Sequence, residues 1–257
     1  METILFVLVG CLSGFAAGLL GIGGGLVTVP ALAFLLPQLD LPPEQTMHIA
    51  IATSLVAIIP TSLLSAYRHH LHNAVVWSKI LVWIPGLLLG SLLGVVFISF
   101  VEKSLLEILF GGFLFLVACY MLFIAPKMRQ LREEEKPLNA YISLPIGFIS
   151  SIMGVGGGTM TVPYLLWRGF SIQQAVGSSA FCGLPIAFSA TLVFFLLQLN
   201  GAEENVFVYF PALVGIVVGC IFSVSLGVKF AHRLPVETMK IIFSIMLFFI
   251  SIKFIAT

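Results

Sequence analysis

The sequence predicts an all-α polytopic membrane protein built from two inverted repeats, each a glycine-broken helix pair followed by three transmembrane helices. Composition is the first observation behind this. The chain is 60% hydrophobic and 9% charged, with a mean hydropathy of +1.14, where a soluble domain carries about 25% charged residues. The second is segment length, because the apolar stretches match the ~20 residues that a helix needs to cross a ~30 Å hydrocarbon core. The third is duplication. Gly21-Ile22-Gly23-Gly24-Gly25-Leu26-Val27-Thr28-Val29-Pro30 returns as Gly154-Val155-Gly156-Gly157-Gly158-Thr159-Met160-Thr161-Val162-Pro163. Each copy lies in a long apolar stretch, after Gly14-Phe15 or Gly147-Phe148.

These properties exclude several classes of function. There is too little polar surface to coat a water-soluble globule, so the lipid bilayer is the expected solvent. A net charge of +1 provides no basic field for nucleic acid. Glu2 stands where a secretory signal carries basic residues, so the N-terminal stretch reads as a first membrane segment. Cys11, Cys119, Cys182 and Cys220 lie within apolar stretches and read as packing residues. Neither zinc spacing nor a Cys-x-x-Cys pair is present, so no metal and no cofactor is expected.

Taken in order, polar breaks leave apolar segments at about 3–36, 46–66, 78–100, 104–125, 139–168, 172–198, 206–228 and 236–256. The one sizeable hydrophilic stretch divides a single membrane domain into a first repeat (1–125), a cytoplasmic linker (126–138) and a second repeat (139–257). The repeat continues past the glycines: Ala50-Ile51-Ala52-Thr53-Ser54 matches Ala175-Val176-Gly177-Ser178-Ser179, and Pro60 matches Pro185. The first and fifth segments exceed one span and fall short of two. Two half-helices meeting near the bilayer centre fit that length, and a kinked single span is the alternative.

Loop charge bears on the choice, because Lys and Arg collect in cytoplasmic loops. Asp40 and Glu44 follow the first broken segment, and Arg68 to Lys79 follow the next span. In the second half the order reverses: Arg168, then Glu203 and Glu204, then Lys229 to Arg233. If each broken segment enters and leaves on one side, every basic loop becomes cytoplasmic. The halves are then inverted, and both termini are extracytoplasmic.

The chemistry expected of the glycine runs follows from their position. Gly23, Gly24 and Gly25, and equally Gly156, Gly157 and Gly158, permit backbone conformations that other residues resist. They also let a ligand approach main-chain N–H groups without meeting a Cβ. Pro30 and Pro163 suit the first turn of a following helix. Each motif thus reads as a loop leading into a helix N-terminus, which offers free N–H donors and about half a positive charge to an anion. Thr28 and Thr161 add hydroxyl donors. The bland alternative is that the glycines allow close helix packing and the threonines satisfy backbone carbonyls.

Thr53, Ser54, Ser178 and Ser179 are further hydroxyl candidates, each pair a few residues ahead of a mid-span proline; in membranes such groups also bond to their own helix. Glycines at four-residue spacing (Gly10, Gly14, Gly18; Gly86, Gly90, Gly94; Gly215, Gly219) point to close packing within the bundle or at a homodimer seam. No acidic residue sits mid-span, and His48, His69, His70 and His72 read as solvated loop-end histidines.

On the paired glycine motif, with the Thr53-Ser54 and Ser178-Ser179 positions, the chain resembles the TauE/SafE family of sulfite and organosulfur-anion transporters. The resemblance covers nearly the full length. It implies a bacterial inner-membrane carrier for small sulfur oxyanions such as sulfite, sulfoacetate, taurine-derived sulfonates or thiosulfate. The expected mechanism is alternating access around one anion held between the two motifs. An anion channel with the glycine loops as filter is the alternative, and an intramembrane enzyme using Cys182 is a third reading.

Overall fold

The computed structural model describes residues 2–39, 41–124, 138–199, 208–233 and 236–256. The expected linker falls almost entirely outside the described residues, as do Asp40, Glu203 and Glu204. All regular structure among the described residues is helical. The first half contains α1 (Glu2–Leu20), α2 (Gly25–Leu35), α3 (Thr46–Leu71), the single turn α4 (Trp77–Ile80), α5 (Ile84–Ile98) and α6 (Lys103–Cys119). The second contains α7 (Ser143–Ile152), α8 (Gly158–Trp167), α9 (Ile172–Leu199), α10 (Phe210–Ala231) and α11 (Val236–Ala256). Five helical runs, Glu2–Leu20, Pro43–Leu71, Trp77–Ile98, Ile172–Gln198 and Phe210–Ala231, are long and apolar enough to cross a membrane. The chain is an all-helical polytopic membrane protein.

Both long segments break at their glycines, and the chain reverses there. Were α2 to continue the line of α1, Ser13 and Thr28 would stand roughly 22 Å apart. Their hydroxyls are 2.8 Å apart. In the second copy, the Ser150 and Thr161 hydroxyls both come within 3.8 Å of the point where a Cβ on Gly157 would stand. The half-helix expectation fits α2, α7 and α8, of 11, 10 and 10 residues. It does not fit α1, which runs for 19. The second segment also outruns its expected end near residue 66. Arg68, His69 and His70 lower the hydropathy, but cations favour a helix C-terminus and α3 continues to Leu71.

The two halves are interlaced. On α1, Ile4, Leu8 and Leu12 face outward while Phe6, Gly10, Ser13 and Gly14 are buried, a lipid face and a packing face one helical turn in period. That packing face lies along α10: a methyl on Gly10, Gly14 or Gly18 would strike the backbone at Ile216, Cys220 or Val224. The numbers rise together, so the helices are parallel. α5 and α7 repeat the arrangement, with Gly86, Gly90 and Gly94 against Ser143, Leu144 and Phe148. The four-residue glycine rows are therefore used inside the bundle, where small side chains let backbones approach.

Between these seams α3 packs on α9, and the two run antiparallel. Val76 N–H, just past α3, donates to Ser178 Oγ near the start of α9 at 3.0 Å, and the Trp77 ring lies 4.8 Å from Phe181. Farther along α9, Gly183 meets Ser62 on α3. α6 and α11 pair separately through Phe110 and Phe254, 5.3 Å apart.

Charge separates between the ends of the bundle. The ends of α3 and α10 meet through His72 and His232, 4.5 Å apart. Tyr164, near the end of α8, lies 5.2 Å from Trp83 in the turn after α4. Arg68, Lys79, Arg168, Lys229 and Arg233 thus share one end. At the other, His48 Nε2 lies 3.1 Å from Val101 O, joining the start of α3 to the loop that holds Glu102 and Lys103.

Candidate functional site

The glycine loops cross at the centre of the molecule, both wholly buried. Gly24 and Gly157, the residues immediately ahead of α2 and α8, have φ of +83° and +77°, a conformation that side chains resist. A methyl on Gly23 would stand 2.9 Å from Gly156 Cα, and one on Gly156 would stand 2.9 Å from Gly23 Cα. Gly25 packs on the Gly154 carbonyl, and Gly158 on the Gly21 carbonyl. Each loop is shaped by the other, which uses the glycines for close backbone approach between halves.

Both half-helices begin at the last glycine of the run, earlier than the prolines suggest. Val27 and Thr28 N–H donate to Gly24 O at 3.0 and 3.1 Å, and Met160 and Thr161 N–H donate to Gly157 O at 3.1 and 2.9 Å. Pro30 and Pro163 therefore fall inside their helices, where each removes a donor from the carbonyl four residues back, Leu26 or Thr159. Neither glycine N-cap supplies a side-chain acceptor. The first N–H groups of α2 and α8 thus lie outside the helical ladder.

The four hydroxyls of the second motif interlock the halves. Ser54 Oγ donates to Gly154 O at 2.9 Å, and Ser179 Oγ donates to Gly21 O at 3.0 Å. Each serine thus fixes the opposite half's glycine loop. Thr53 Oγ1 accepts from Tyr209 N–H at the start of α10, and Ser178 Oγ accepts from Val76 N–H, both at 3.0 Å. These bonds cap the entries to the third spans. All twelve residues expected at the site are buried at or beside the crossing.

Thr28 and Thr161 differ in their surroundings. Ser13 Oγ donates to Gly24 O at 3.0 Å, so in the 2.8 Å contact between the two hydroxyls Thr28 must be the donor. Both protons are spent. Thr161 Oγ1 has no hydrogen-bond partner, nor have the buried hydroxyls of Ser150, Thr159 and Ser62. The Cys182 thiol lies beside Thr161 without hydrogen-bond geometry, and a thiol is a weak partner. Sequence reasoning passed over Ser13, Ser62, Ser150 and Thr159. Ser150 was the one with a signal, since it stands one turn ahead of the break where the first copy has Ala17.

His70 and His72 are exposed as expected, but His48 and His69 are not. His69 is fully buried, with Nε2 2.9 Å from Gly18 O on α1. His232 packs against it, ring centroids 5.5 Å apart. The pKa of His232 is lowered from 6.5, first by burial and then by the neighbouring His72. Among the described residues, no group of three or more His, Cys, Asp or Glu could hold a metal ion.

A polytopic helical bundle with two chain reversals crossing at its buried centre is the architecture of a membrane transporter. The chain belongs to the sulfite exporter TauE/SafE family, whose model matches residues 6–254. It is 36% identical to a probable membrane transporter protein of Haemophilus influenzae over 97% of both chains. It is also 27% identical to a probable membrane transporter protein of Methanocaldococcus jannaschii, over 93% of this chain and 90% of that one. A more distant likeness, 24% identity over 59% of this chain, is to an undecaprenyl-diphosphatase of Halothermothrix orenii. No solved structure matches.

Proposed function

We propose that this transporter carries small sulfur-containing oxyanions, sulfite and sulfonates such as sulfoacetate, across a bacterial inner membrane by alternating access. The observation that carries the reading is the crossing of two glycine loops, each opening into a half-helix N-terminus in a buried, low-dielectric setting. Main-chain N–H groups beside Gly23–Gly25 and Gly156–Gly158, with nearby hydroxyls, offer donors to an anion that is poorly screened there. The chemistry needed is binding and release, so no enzyme activity is assigned.

The antiparallel course of α3 and α9, which hold equivalent places in the two halves, supports inverted repeats. The gathering of basic residues at one end supports a cytoplasmic placement of that end. Interlacing changes what would move. A smaller apolar core, including Trp83, Leu87, Ile146, Leu165 and Ile186, unites α5, α7, α8 and α9, and a larger one joins the remaining helices to other parts of α5, α7 and α9, such as Val95, Ile152 and Ala190. Rocking of one set of helices against another would open the crossing to alternate sides. The close fit of the loops supports a carrier over an open filter.

Proteoliposomes containing the purified protein provide the test. Saturable sulfite uptake with counterflow is expected. Ohmic single-channel current would make the protein a channel, and absence of any sulfite or sulfonate flux would remove the reading.

A further inference from the structure

We infer that the anion is held chiefly by the second half, at Ser150, Thr161 and the first turn of α8, and that the site takes a singly charged oxyanion. The inference rests on the transport reading above and deepens it. The two copies look equivalent in sequence, yet their hydroxyls are used differently. In the first, Ser13 and Thr28 direct their protons to Gly24 O and to each other, which closes that loop with its own side chains. In the second, Ile146 holds the place of Ser13, and no internal acceptor takes the protons of Ser150 and Thr161.

Ser150 and Thr161 are both 0% exposed, both without a partner, and both within 3.8 Å of the point where a Gly157 Cβ would stand. Thr159 in the first turn of α8, and Ser62 across Gly156, are buried hydroxyls in the same condition. An unmade hydrogen bond in an apolar interior is costly, so this cluster calls for an acceptor. Free N–H groups at the start of α8 add to the same face. The hydroxyls and N–H groups here can all donate, which suits an oxyanion.

The charge follows from what is missing around it. Among the described residues, the buried polar side chains are serines, threonines and His69, with no Lys or Arg. A helix N-terminus supplies about half a charge, and neutral donors supply the rest for one negative charge. The cost of burying an ion rises with the square of its charge, so sulfite would be bound as hydrogen sulfite, and a dianion such as sulfate or sulfoacetate would be held less well.

Proteoliposome uptake of radiolabelled sulfite, with methanesulfonate and sulfate as competitors, tests both parts. Ser150→Ala and Thr161→Val should each raise the KM about tenfold or more, the loss expected for a hydrogen bond to a charged group. Ser13→Ala should leave KM within about threefold, and Thr161→Ser should restore the wild-type value. Methanesulfonate should compete and sulfate should not. A larger KM change from Ser13→Ala than from Ser150→Ala, or a Thr161→Ser value as high as that of Thr161→Val, overturns the placement. Competition by sulfate equal to that by methanesulfonate overturns the charge assignment. Uptake that ignores Ser150→Ala and Thr161→Val overturns the placement while the transport reading stands, whereas no saturable wild-type uptake of any probe overturns both.

Discussion

Gly23 and Gly156 face each other across the two halves so closely that a methyl on either would stand 2.9 Å from the other's Cα. The contact is reciprocal, but the backbones are not alike. Gly23 has φ +70°, and Gly156 is not among the positive-φ glycines. Alanine at either position should therefore cost about 1–3 kcal/mol from overpacking. Gly23→Ala should cost a further ~1–2 kcal/mol from left-handed strain. Thermal unfolding in detergent measures the difference, and equal losses would contradict it.

The paired serine bonds predict matched losses. Ser54→Ala leaves Gly154 O without its donor, and Ser179→Ala does the same to Gly21 O. Each should lower stability by about 0.6–2 kcal/mol, with similar shifts in unfolding temperature. A large loss on one side only would show that the two loops are not held in the same way.

Orientation yields a third expectation. A cysteine placed after Thr257 and one beside Glu2 should both react with an impermeant reagent from outside intact cells. One in the His70–Asn73 turn should react only from inside-out vesicles. Labelling of the added C-terminal cysteine from the cytoplasmic side would remove the inverted arrangement.

The pH expectation concerns the end where α3 meets α10. His232 faces His69 and His72, and its folded pKa lies below the ordinary 6.5. The unfolded chain then binds the proton more readily, so this contribution to stability is complete above about 6.5 and is lost as pH falls below it. Unfolding temperature measured from about pH 8 to about pH 5 should fall on the acid side. His232→Gln should flatten that fall, and an unchanged slope would assign it elsewhere.

Much of the fold was legible because a bilayer leaves few solutions. Apolar stretches of span length became helices with ends close to those expected, as at Ile172 and Ala256. The breaks at Gly21–Gly25 and Gly154–Gly158 fell where consecutive glycines allow left-handed backbone. What local pattern could not express was partnership. Gly10 and Gly219 fit either a homodimer or an internal seam by spacing, and only the fold pairs α1 with α10. Thr53, Ser54, Ser178 and Ser179 were recognisable as hydroxyls in apolar surroundings, but whether such a group meets a ligand or a neighbouring loop depends on contacts 100 or more positions away. His69 was misjudged for the same reason: a residue at a helix end is buried when another helix crosses over it.

The α1–α10 seam also sets an order of events during synthesis. Cys220 Sγ lies 3.2 Å from Gly10 O, across 210 positions of chain. α1 must therefore wait, its glycine face unmatched, until α10 has emerged. During that interval the half-made protein displays a helix-sized vacancy suited to one particular late segment. A chain interrupted before Phe210 would keep that vacancy, and the missing α10 supplied as a separate peptide is the segment shaped to fill it.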